Sequence, residues 1–314
     1  MTTRIAMIGA GGIARRHLEI LAREEDVEIV GHVARTRASA QRHASAFGGR
    51  AYDEVGELVE RERPDAAWIT VPPDAHGPAE RALLAADVPF LIEKPLSADR
   101  ATGEALGSAG LDAGALAAVG YHWRALDTLP ELRQRLAEAP VRMVTGAWHD
   151  AIPAPDWWRK QARSGGQMVE QATHLLDLAR HLVGEADVVA ARSDVPDVPP
   201  LPGADVADVA ATLLTFRSRI PGVVTASCAL GGRAWVRLEL VCTGLHVVVD
   251  QDAVRYDDGR VVREVRTQAD PFVVQDRAFL HAVRTGDRSG LYCHIEDALA
   301  THRLAHDVLD ATRR

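Results

Sequence analysis

The polar side chains of one helical segment have the types and spacing that proton-transfer chemistry requires. In "GGQMVEQATHLLDLARH", the residues Glu170, His174, Asp177 and His181 follow one another at spacings of four, three and four. At about 100° per residue, these spacings place them in one stripe along a helix predicted over 166–183. Because an imidazole exchanges protons near neutral pH, His174 is a candidate general base. The stripe alone also fits a solvent-exposed face or a zinc site.

A lysine at the end of an apolar strand is the second feature. The segment "FLIEKPLSADR" carries Glu93 and Lys94 directly after three apolar residues, and Pro95 follows. Because proline disfavours a helical conformation in the residue before it, we expect Lys94 to stay extended and to project from the strand end. The alternative is an ordinary strand-terminal ion pair, which contributes about 1 kcal/mol at a surface.

A glycine-rich turn, "IGAGGIA", comes directly after the first predicted strand and opens a helix. Gly9, Gly11 and Ala14 occupy the positions of G-x-G-x-x-G/A, with an additional glycine at Gly12. Gly9 permits the tight turn, and Gly11 lets the backbone approach a pyrophosphate at the helix N-terminus. In this strand–turn–helix context the motif predicts dinucleotide binding by Gly9, Gly11, Gly12 and Ile13.

The residues after the second predicted strand indicate which dinucleotide is preferred. An NAD site usually has Asp or Glu there, which binds the ribose 2′-hydroxyl. This chain has Ala34, followed by Arg35, Thr36 and Arg37. Because arginine pairs bidentately with phosphate, we expect NADP(H) to be preferred, with NAD(H) possible. The alternative is that the two arginines are solvated residues at the start of a helix.

These motifs lie at the ends of elements that a doubly wound sheet would position. The first third of the chain alternates short apolar runs with helical patterns, which indicates a parallel sheet covered on both faces. The predicted strands are 4–8, 27–33, 66–71, 89–93 and 116–121. The predicted helices are 12–23, 36–47, 54–62, 75–86 and 98–109. Asp74 is the expected N-cap of the fourth helix.

The pattern changes after about residue 124. Alternating apolar residues, as in "WVRLELVC", predict an antiparallel sheet with one covered face. The predicted strands are 141–150, 187–194, 206–216, 222–230, 235–242 and 245–250, and helices follow near 273–284 and 295–312. The fold class is therefore α/β: an N-terminal Rossmann domain, 1–123, and a C-terminal α+β domain, 124–314, with a large, mostly antiparallel sheet. We expect the last helix to pack back on the first domain.

Composition narrows the class of protein. A net charge of −8 argues against binding to nucleic acid or to an anionic membrane. The three cysteines have no short spacing, which is typical of a reduced protein without disulfides or a thiolate zinc site. The first apolar run is too short for a signal peptide, and no window is long enough to span a bilayer. We therefore expect a cytoplasmic enzyme.

Taken together, the motifs resemble those of the Gfo/Idh/MocA family (glucose–fructose oxidoreductase, inositol dehydrogenase and MocA). The matching segments are "IGAGGIA", "VPPDAH", "IEKPL", "SGGQMVEQATHLLDLARHLVG", "FLHAVRTG" and "EDALATHRLAHDVL". The resemblance implies that Lys94 binds the reacting hydroxyl near a nicotinamide, that His174 is the general base, and that no metal is used. Family members usually have an aspartate where this chain has Glu170, so the role of that residue does not transfer directly.

The resemblance also implies further contacts. Those with the cofactor involve Val71, Pro72, His76, Glu93, Lys94 and Arg124. Those with the substrate involve Lys94, His122, Trp158, Arg159, Glu170 and His174. For the segment "GYHWRALDTLPEL", core packing of Trp123 is an equally good interpretation. For "APDWWRK", tryptophan stacking on a sugar ring and anchoring of the loop onto the core are both open.

The predicted function is reversible oxidation of a secondary alcohol to a ketone on a sugar, sugar derivative or cyclitol, with NADP(H) as the hydride carrier. One alternative is a redox-enabled glycoside lyase, in which oxidation is transient. Another is a cofactor-binding sensor without turnover. The resemblance implies a homodimer or homotetramer formed through the C-terminal sheet, whose uncovered face is a natural surface for self-association.

Overall fold

A computed structural model describes residues 2–197 and 203–313 of the chain. The contacts divide these residues into two compact units. The first unit contains the residues up to Ser97, Ala101–His122 and Phe272–Leu299. The second contains Ala98–Arg100, the described part of Trp123–Pro271, and the residues from Ala300 onward. Within the described residues, no helix is long and apolar enough to cross a membrane.

The first unit is built on a six-stranded sheet whose paired strands are all parallel. Its strands are β1 (Thr3–Ile8), β2 (Val27–Val33), β3 (Arg50–Tyr52), β4 (Ala66–Ile69), β5 (Phe90–Ile92) and β6 (Ala117–Val119). The order is β3-β2-β1-β4-β5-β6. The chain therefore reverses its direction of progress between β1 and β4, where doubly wound folds bind their ligands. The predicted doubly wound sheet is confirmed, although the prediction missed the short edge strand β3.

Helices cover both faces of this sheet. They are α1 (Gly12–Leu21), α2 (Arg37–Phe47), α3 (Val55–Glu62), α4 (Pro78–Ala85), α5 (Arg100–Asp112) and α10 (Pro271–Thr285). Alternate residues of β1 pack on opposite faces of the sheet. Ile5 and Met7 belong to one apolar cluster, and Ala6 and Ile8 belong to the other. A strand buried on both faces has no place for polar side chains except at its ends.

The predicted cap of α4 is wrong. Asp74 lies in a short 3₁₀ turn over 73–75, and α4 begins only at Pro78. Gly77, at a φ of 115°, separates the two elements. Its backbone N–H donates to Glu80 Oε2 at 2.6 Å, so Glu80 caps the helix from inside its first turn.

The second unit is built on an eight-stranded sheet in the order β14-β13-β12-β11-β7-β10-β9-β8. Its strands are β7 (Val141–His149), β8 (Ala186–Asp194), β9 (Val209–Phe216), β10 (Pro221–Ser227), β11 (Trp235–Cys242), β12 (Leu245–Val249), β13 (Ala253–Asp257) and β14 (Val262–Arg266). All neighbouring pairs are antiparallel except β7 and β10, which are parallel. The predicted large, mostly antiparallel sheet is confirmed.

The remaining helices are α6 (Leu129–Glu138), α7 (Gln161–Ser164), α8 (Gln167–Glu170), α9 (Thr173–Val183) and α11 (Ile295–Ala311). The single helix predicted over 166–183 is therefore wrong: it is broken between α8 and α9. At the break the N–H of Ala172 donates to the carbonyl of Gln167 at 2.8 Å, five residues back. This wide turn displaces Glu170 from the line that a regular helix would give.

Candidate active site

The glycine turn after β1 has the shape that a dinucleotide requires. Gly9 has a φ of 115°, and a Cβ built there would lie 2.7 Å from the carbonyl oxygen of Thr70 on the neighbouring strand end. A Cβ at Gly11 or Gly12 would meet no atom within 4 Å, so open space precedes α1. The first N–H groups of a helix lack intrahelical partners and bind anions well. Together with exposed Ile13, these residues fit a diphosphate.

The end of β2 presents a polar cluster at the start of α2. Thr36 caps the helix by accepting a hydrogen bond from the N–H of Ser39 at 3.2 Å. Arg37 forms an exposed ion pair with Asp53, with 2.6 Å between Nη1 and Oδ2. Arg35 is exposed. Arg42 donates a hydrogen bond to Ser39 Oγ at 2.8 Å and so joins this polar cluster. Sequence reasoning missed it, although its position one helical turn after Ser39 could have indicated that it belongs to the cluster.

The segment after β4 leaves the sheet through two half-buried residues, Val71 and Pro72. His76 is buried, and its Nδ1 lies 2.6 Å from Glu80 Oε1. Burial opposes ionisation of Glu80, but the imidazole of His76 and the N–H of Gly77 outweigh it and hold the pKa of this carboxyl below its ordinary value. His76 therefore belongs to a rigid connection between the strand end and α4.

The end of β5 carries a buried acid beside a half-buried lysine. The N–H of Glu93 donates to the carbonyl of Ile69 at 2.8 Å, which continues the sheet pairing. The Lys94–Pro95 peptide is cis. His17, which sequence reasoning missed, contacts the acid: its Nε2 lies 3.2 Å from Glu93 Oε1. Its Nδ1 lies 2.7 Å from Oδ2 of Asp276, which was missed as well. No local motif signals them, because 259 positions separate the imidazole from Asp276.

His122 lies at the end of the same unit, in a short turn after β6. Its ring stacks on that of Phe272 with 4.3 Å between centroids, and Arg16 covers the same phenyl ring at 3.9 Å. Burial lowers the pKa of His122 to about 4; Lys94 and Arg16 act in the same direction, against the opposing charge of Glu93. His122 is therefore a neutral ring at physiological pH.

In the second unit, His174 is buried in the first turn of α9. Its ring is stacked near two indoles, with centroid distances of 5.7 Å to Trp148 and 6.4 Å to Trp123. Asp177, one turn further along, is buried as well. The interpretation of the whole stripe as a solvent-exposed face is therefore wrong, because its two central residues are buried.

Arg124 is paired inside the second unit. Its Nε and Nη2 each donate to Asp177 at 2.8 Å, and both side chains are almost completely buried. Thr301 donates to the same carboxylate at 2.7 Å and accepts a hydrogen bond from Arg180 at 2.6 Å. This network fixes α9 and therefore the backbone that carries His174. A role of Arg124 in cofactor binding stays a prediction.

Glu170 and the tryptophan loop meet within the second unit. Trp158 is buried in a small cluster with Val206 and Cys228, and its indole N–H donates to Glu170 Oε2 at 2.7 Å. This is the packing expected if the loop is anchored on the core. Arg159 lies beside Asp156, with 3.3 Å between Nη1 and Oδ1. Substrate contacts by Trp158 and Arg159 stay predictions.

No group of three or more His, Cys, Asp or Glu side chains is arranged to hold a metal ion within residues 2–197 and 203–313. The arrangement that the described residues do offer is a nucleotide turn and a lysine at one edge of the first sheet, and a buried histidine on α9 of the second unit. These groups are suited to binding a dinucleotide and to moving a proton.

Comparison with known proteins identifies the family. Residues 3–121 match the model described as "Oxidoreductase family, NAD-binding Rossmann fold", and residues 139–247 match the "GFO/IDH/MocA C-terminal domain". The chain therefore belongs to the Gfo/Idh/MocA family of oxidoreductases, and the resemblance seen in its motifs is confirmed.

Individual relatives agree with this assignment. Myo-inositol dehydrogenase Hyg17 of Streptomyces leeuwenhoekii is 33% identical over 186 residues, which cover 57% of this chain and 55% of that protein. The chain thus matches about half the length of this relative. The structure of KijD10, a 3-ketoreductase from Actinomadura kijaniata in complex with NADP and TDP-benzene, is similar with a TM-score of 0.85 at 22% identity, covering 99% of this chain and 98% of that one.

A second solved structure is GenD2 from gentamicin A biosynthesis in complex with NAD. It has a TM-score of 0.84 at 22% identity and covers 99% of this chain and 94% of that chain. At these identities the likeness to both solved structures concerns the fold. A Rossmann domain for a nicotinamide dinucleotide is the conclusion that the family match supports for this chain.

The buried pair of Arg124 and Asp177 yields a stability prediction. Asp177→Asn should lower the free energy of unfolding by about 3–5 kcal/mol, because it leaves a buried guanidinium without its counter-charge. The matched control is Asp53→Asn, which breaks the exposed pair with Arg37 and should cost less than about 1 kcal/mol. Urea unfolding followed by circular dichroism measures both. Equal losses in the two variants would contradict the assignment.

Proposed function

We propose that this chain is an NADP(H)-dependent oxidoreductase that interconverts a secondary alcohol and a ketone on a sugar, a sugar derivative or a cyclitol. The observation that carries the proposal is that Gly9 and Lys94 lie at the same edge of the first sheet. The glycine turn follows β1, and the lysine follows β5, so both lie at the carboxyl ends of strands in one parallel sheet. This is the edge at which doubly wound folds bind nucleotide and substrate.

A bound nicotinamide would supply the hydride acceptor for the alcohol, or the hydride donor for the ketone. Gly9, Gly11, Gly12 and Ile13 would hold its diphosphate. Lys94 would bind the reacting oxygen and stabilise the negative charge that develops there. His174 would accept the hydroxyl proton in oxidation and return it in reduction.

The remaining predicted contacts are secondary to these. Glu170, whose Oε2 accepts the indole N–H of Trp158, would bind a neighbouring hydroxyl of the substrate. The names of similar proteins support the substrate class: Hyg17 is a myo-inositol dehydrogenase and KijD10 is a 3-ketoreductase. Cys228, Cys242 and Cys293 are buried thiols, which supports a reducing compartment, and we propose the cytoplasm.

The roles of Lys94 and His174 are tested by substitution. Lys94→Ala and His174→Ala should each lower turnover by about 100-fold, because each removes a group that acts on the reacting hydroxyl, while NADP⁺ still binds. Turnover is followed as NADPH formation, with whichever member of a panel of sugars and cyclitols the wild-type chain oxidises fastest. NADP⁺ binding is followed by calorimetry.

Two residues with no proposed role in the reaction give matched controls. Lys160→Ala removes a lysine whose ion pair with Asp205 spans 3.8 Å at the surface, and His246→Ala removes a partly exposed histidine of β12. Both should keep wild-type turnover. Near-wild-type rates in Lys94→Ala or His174→Ala would refute the mechanism. Alcohol oxidation without accumulation of NADPH would indicate the redox-enabled lyase instead.

The preference for NADP(H) is proposed from Arg35, Thr36 and Arg37, since no carboxylate ends β2. KijD10 was crystallised with NADP and GenD2 with NAD, so relatives differ in this respect. The double variant Arg35→Ala/Arg37→Ala should weaken NADP⁺ binding at least about tenfold and leave NAD⁺ binding nearly unchanged, because charge-assisted bonds to the 2′-phosphate are lost.

The control for this experiment is Arg50→Ala, which removes an exposed arginine paired with Glu62 at 3.6 Å. It should bind both cofactors as the wild-type chain does. All affinities are measured by calorimetry at one ionic strength, because phosphate contacts depend on salt. If the wild-type chain bound NADP⁺ and NAD⁺ with equal affinity, the proposed preference would be refuted.

Self-association through the second sheet is proposed from its open face. Exposed apolar side chains occupy that unit: Met143, Val189, Val209, Leu213, Val223, Leu230 and Trp235. Leu213 and Val223 lie opposite each other in neighbouring strands, and Val223 lies opposite Thr145 of β7. Exposed apolar groups that are neighbours on a sheet form a patch suited to a second copy.

Leu213→Asp/Val223→Asp should therefore convert a dimer or tetramer into a monomer, because two charges would be buried at the interface. Light scattering after size-exclusion chromatography measures the mass. Val261→Asp, at an exposed position of the β13–β14 turn, is the control and should leave the mass unchanged. A monomeric wild-type chain would refute the proposal.

A further inference from the structure

A buried ionic bridge connects three elements of the first unit. His17 of α1 is completely buried, and its two ring nitrogens face carboxylates from different parts of the chain. Nδ1 lies 2.7 Å and 3.0 Å from the two oxygens of Asp276 on α10, and Nε2 lies 3.2 Å from Glu93 Oε1 at the end of β5. Trp68 donates its indole N–H to Asp276 Oδ1 at 3.0 Å.

The chemistry of the ring follows from these partners. A neutral imidazole has one N–H, so it can donate to only one of the two carboxylates, whereas an imidazolium donates to both. Burial by itself would lower the pKa of His17, but the charges of Asp276 and Glu93 outweigh burial and raise it to about 10. At neutral pH the bridge is therefore a cation held between two anions.

Glu93 has little freedom in this arrangement. A Cβ built on Gly120 would lie 2.6 Å from Glu93 Oε1, so the carboxylate lies directly against the backbone that follows β6. The charges of Glu93, Lys94 and Arg16 all act on the His122 ring. The Glu93 carboxylate therefore contributes to the field at this end of the sheet, where Lys94 follows β5 and His122 follows β6.

We propose that His17 is a positioning residue of the active site: as an imidazolium it fixes the Glu93 carboxylate, and through Glu93 it sets the electrostatic environment of the Lys94 ammonium group. The proposal rests on the proposed function only in the role that it gives Lys94. Without the cation at position 17, two buried carboxylates would lose the charged partner that they share, and Glu93 would no longer be held in place.

The sequence offers a direct reporter of this coupling, because Lys94 and Lys160 are its two lysines. In a Lys160→Arg background, isotope-labelled lysine gives NMR side-chain signals from Lys94 alone. Asp276→Asn removes the largest of the contributions that raise the pKa of His17, so the ring should lose its proton at a lower pH than in the unsubstituted bridge. The Lys94 signals should then show an inflection at the pH at which the ring loses its proton.

Two further chains make the result specific. The inflection should be missing in the Lys160→Arg background itself, where His17 stays charged, and in His17→Gln/Asp276→Asn, where nothing titrates at position 17. Lys94 signals without an inflection in Asp276→Asn, or with the same inflection in all three chains, would overturn the proposal.

A measurement on the unsubstituted bridge guards against misfolding of Asp276→Asn. The ring ¹⁵N signals of His17, assigned by their loss in His17→Gln, should show two protonated nitrogens up to about pH 9. Signals of a neutral ring at pH 8 would overturn the proposal whatever the variants do.

Turnover separates this proposal from the proposed function. His17→Gln should lower kcat about tenfold while the Kd for NADP⁺ changes less than about twofold, because the substitution disturbs the field at Lys94 and leaves the glycine turn intact. If the wild-type chain transferred no hydride with any polyol, the proposed function would be refuted. The pH dependence of the Lys94 NMR signals would still decide the role of His17.

Discussion

The parallel sheet of the first unit imposes the constraint on which the site depends. Its strands are buried on both faces, so polar side chains are excluded from their middles and appear at their ends. The pair Glu93–Lys94, directly after β5, follows this rule. A charged lysine at the end of an apolar strand is therefore a consequence of the architecture, since the strand end is where the sheet can present it.

Buried charges in each unit are compensated within that unit. In the first, the imidazolium of His17 lies between Asp276 and Glu93. In the second, Arg124 forms a bidentate ion pair with Asp177 through two hydrogen bonds of 2.8 Å. Burying such ions is unfavourable unless each has its partners, so the networks fix the elements that carry them. The first network includes the residue next to Lys94, and the second lies one helical turn from His174.

Family membership explains the general plan and leaves particular positions open. The resemblance implies an aspartate at the position of Glu170, and here the chain breaks the helix directly after this residue. Its carboxylate is held by the indole of Trp158. The longer side chain is thus accommodated by a local tertiary contact of this chain, which a motif comparison does not show.

The sequence by itself determined the doubly wound class of the first sheet, the glycine turn after β1, the strand that ends before Lys94 and the helical character of the segment around His174, because periodicity and backbone preferences are local properties. It did not determine the break in the helix after Glu170, the buried ion pair of Arg124 with Asp177, or the ionic bridge from His17 to Asp276. These depend on contacts between residues that are distant in the chain, and a single sequence carries no local signal for such contacts. Only the tertiary structure decides which buried charge meets which partner.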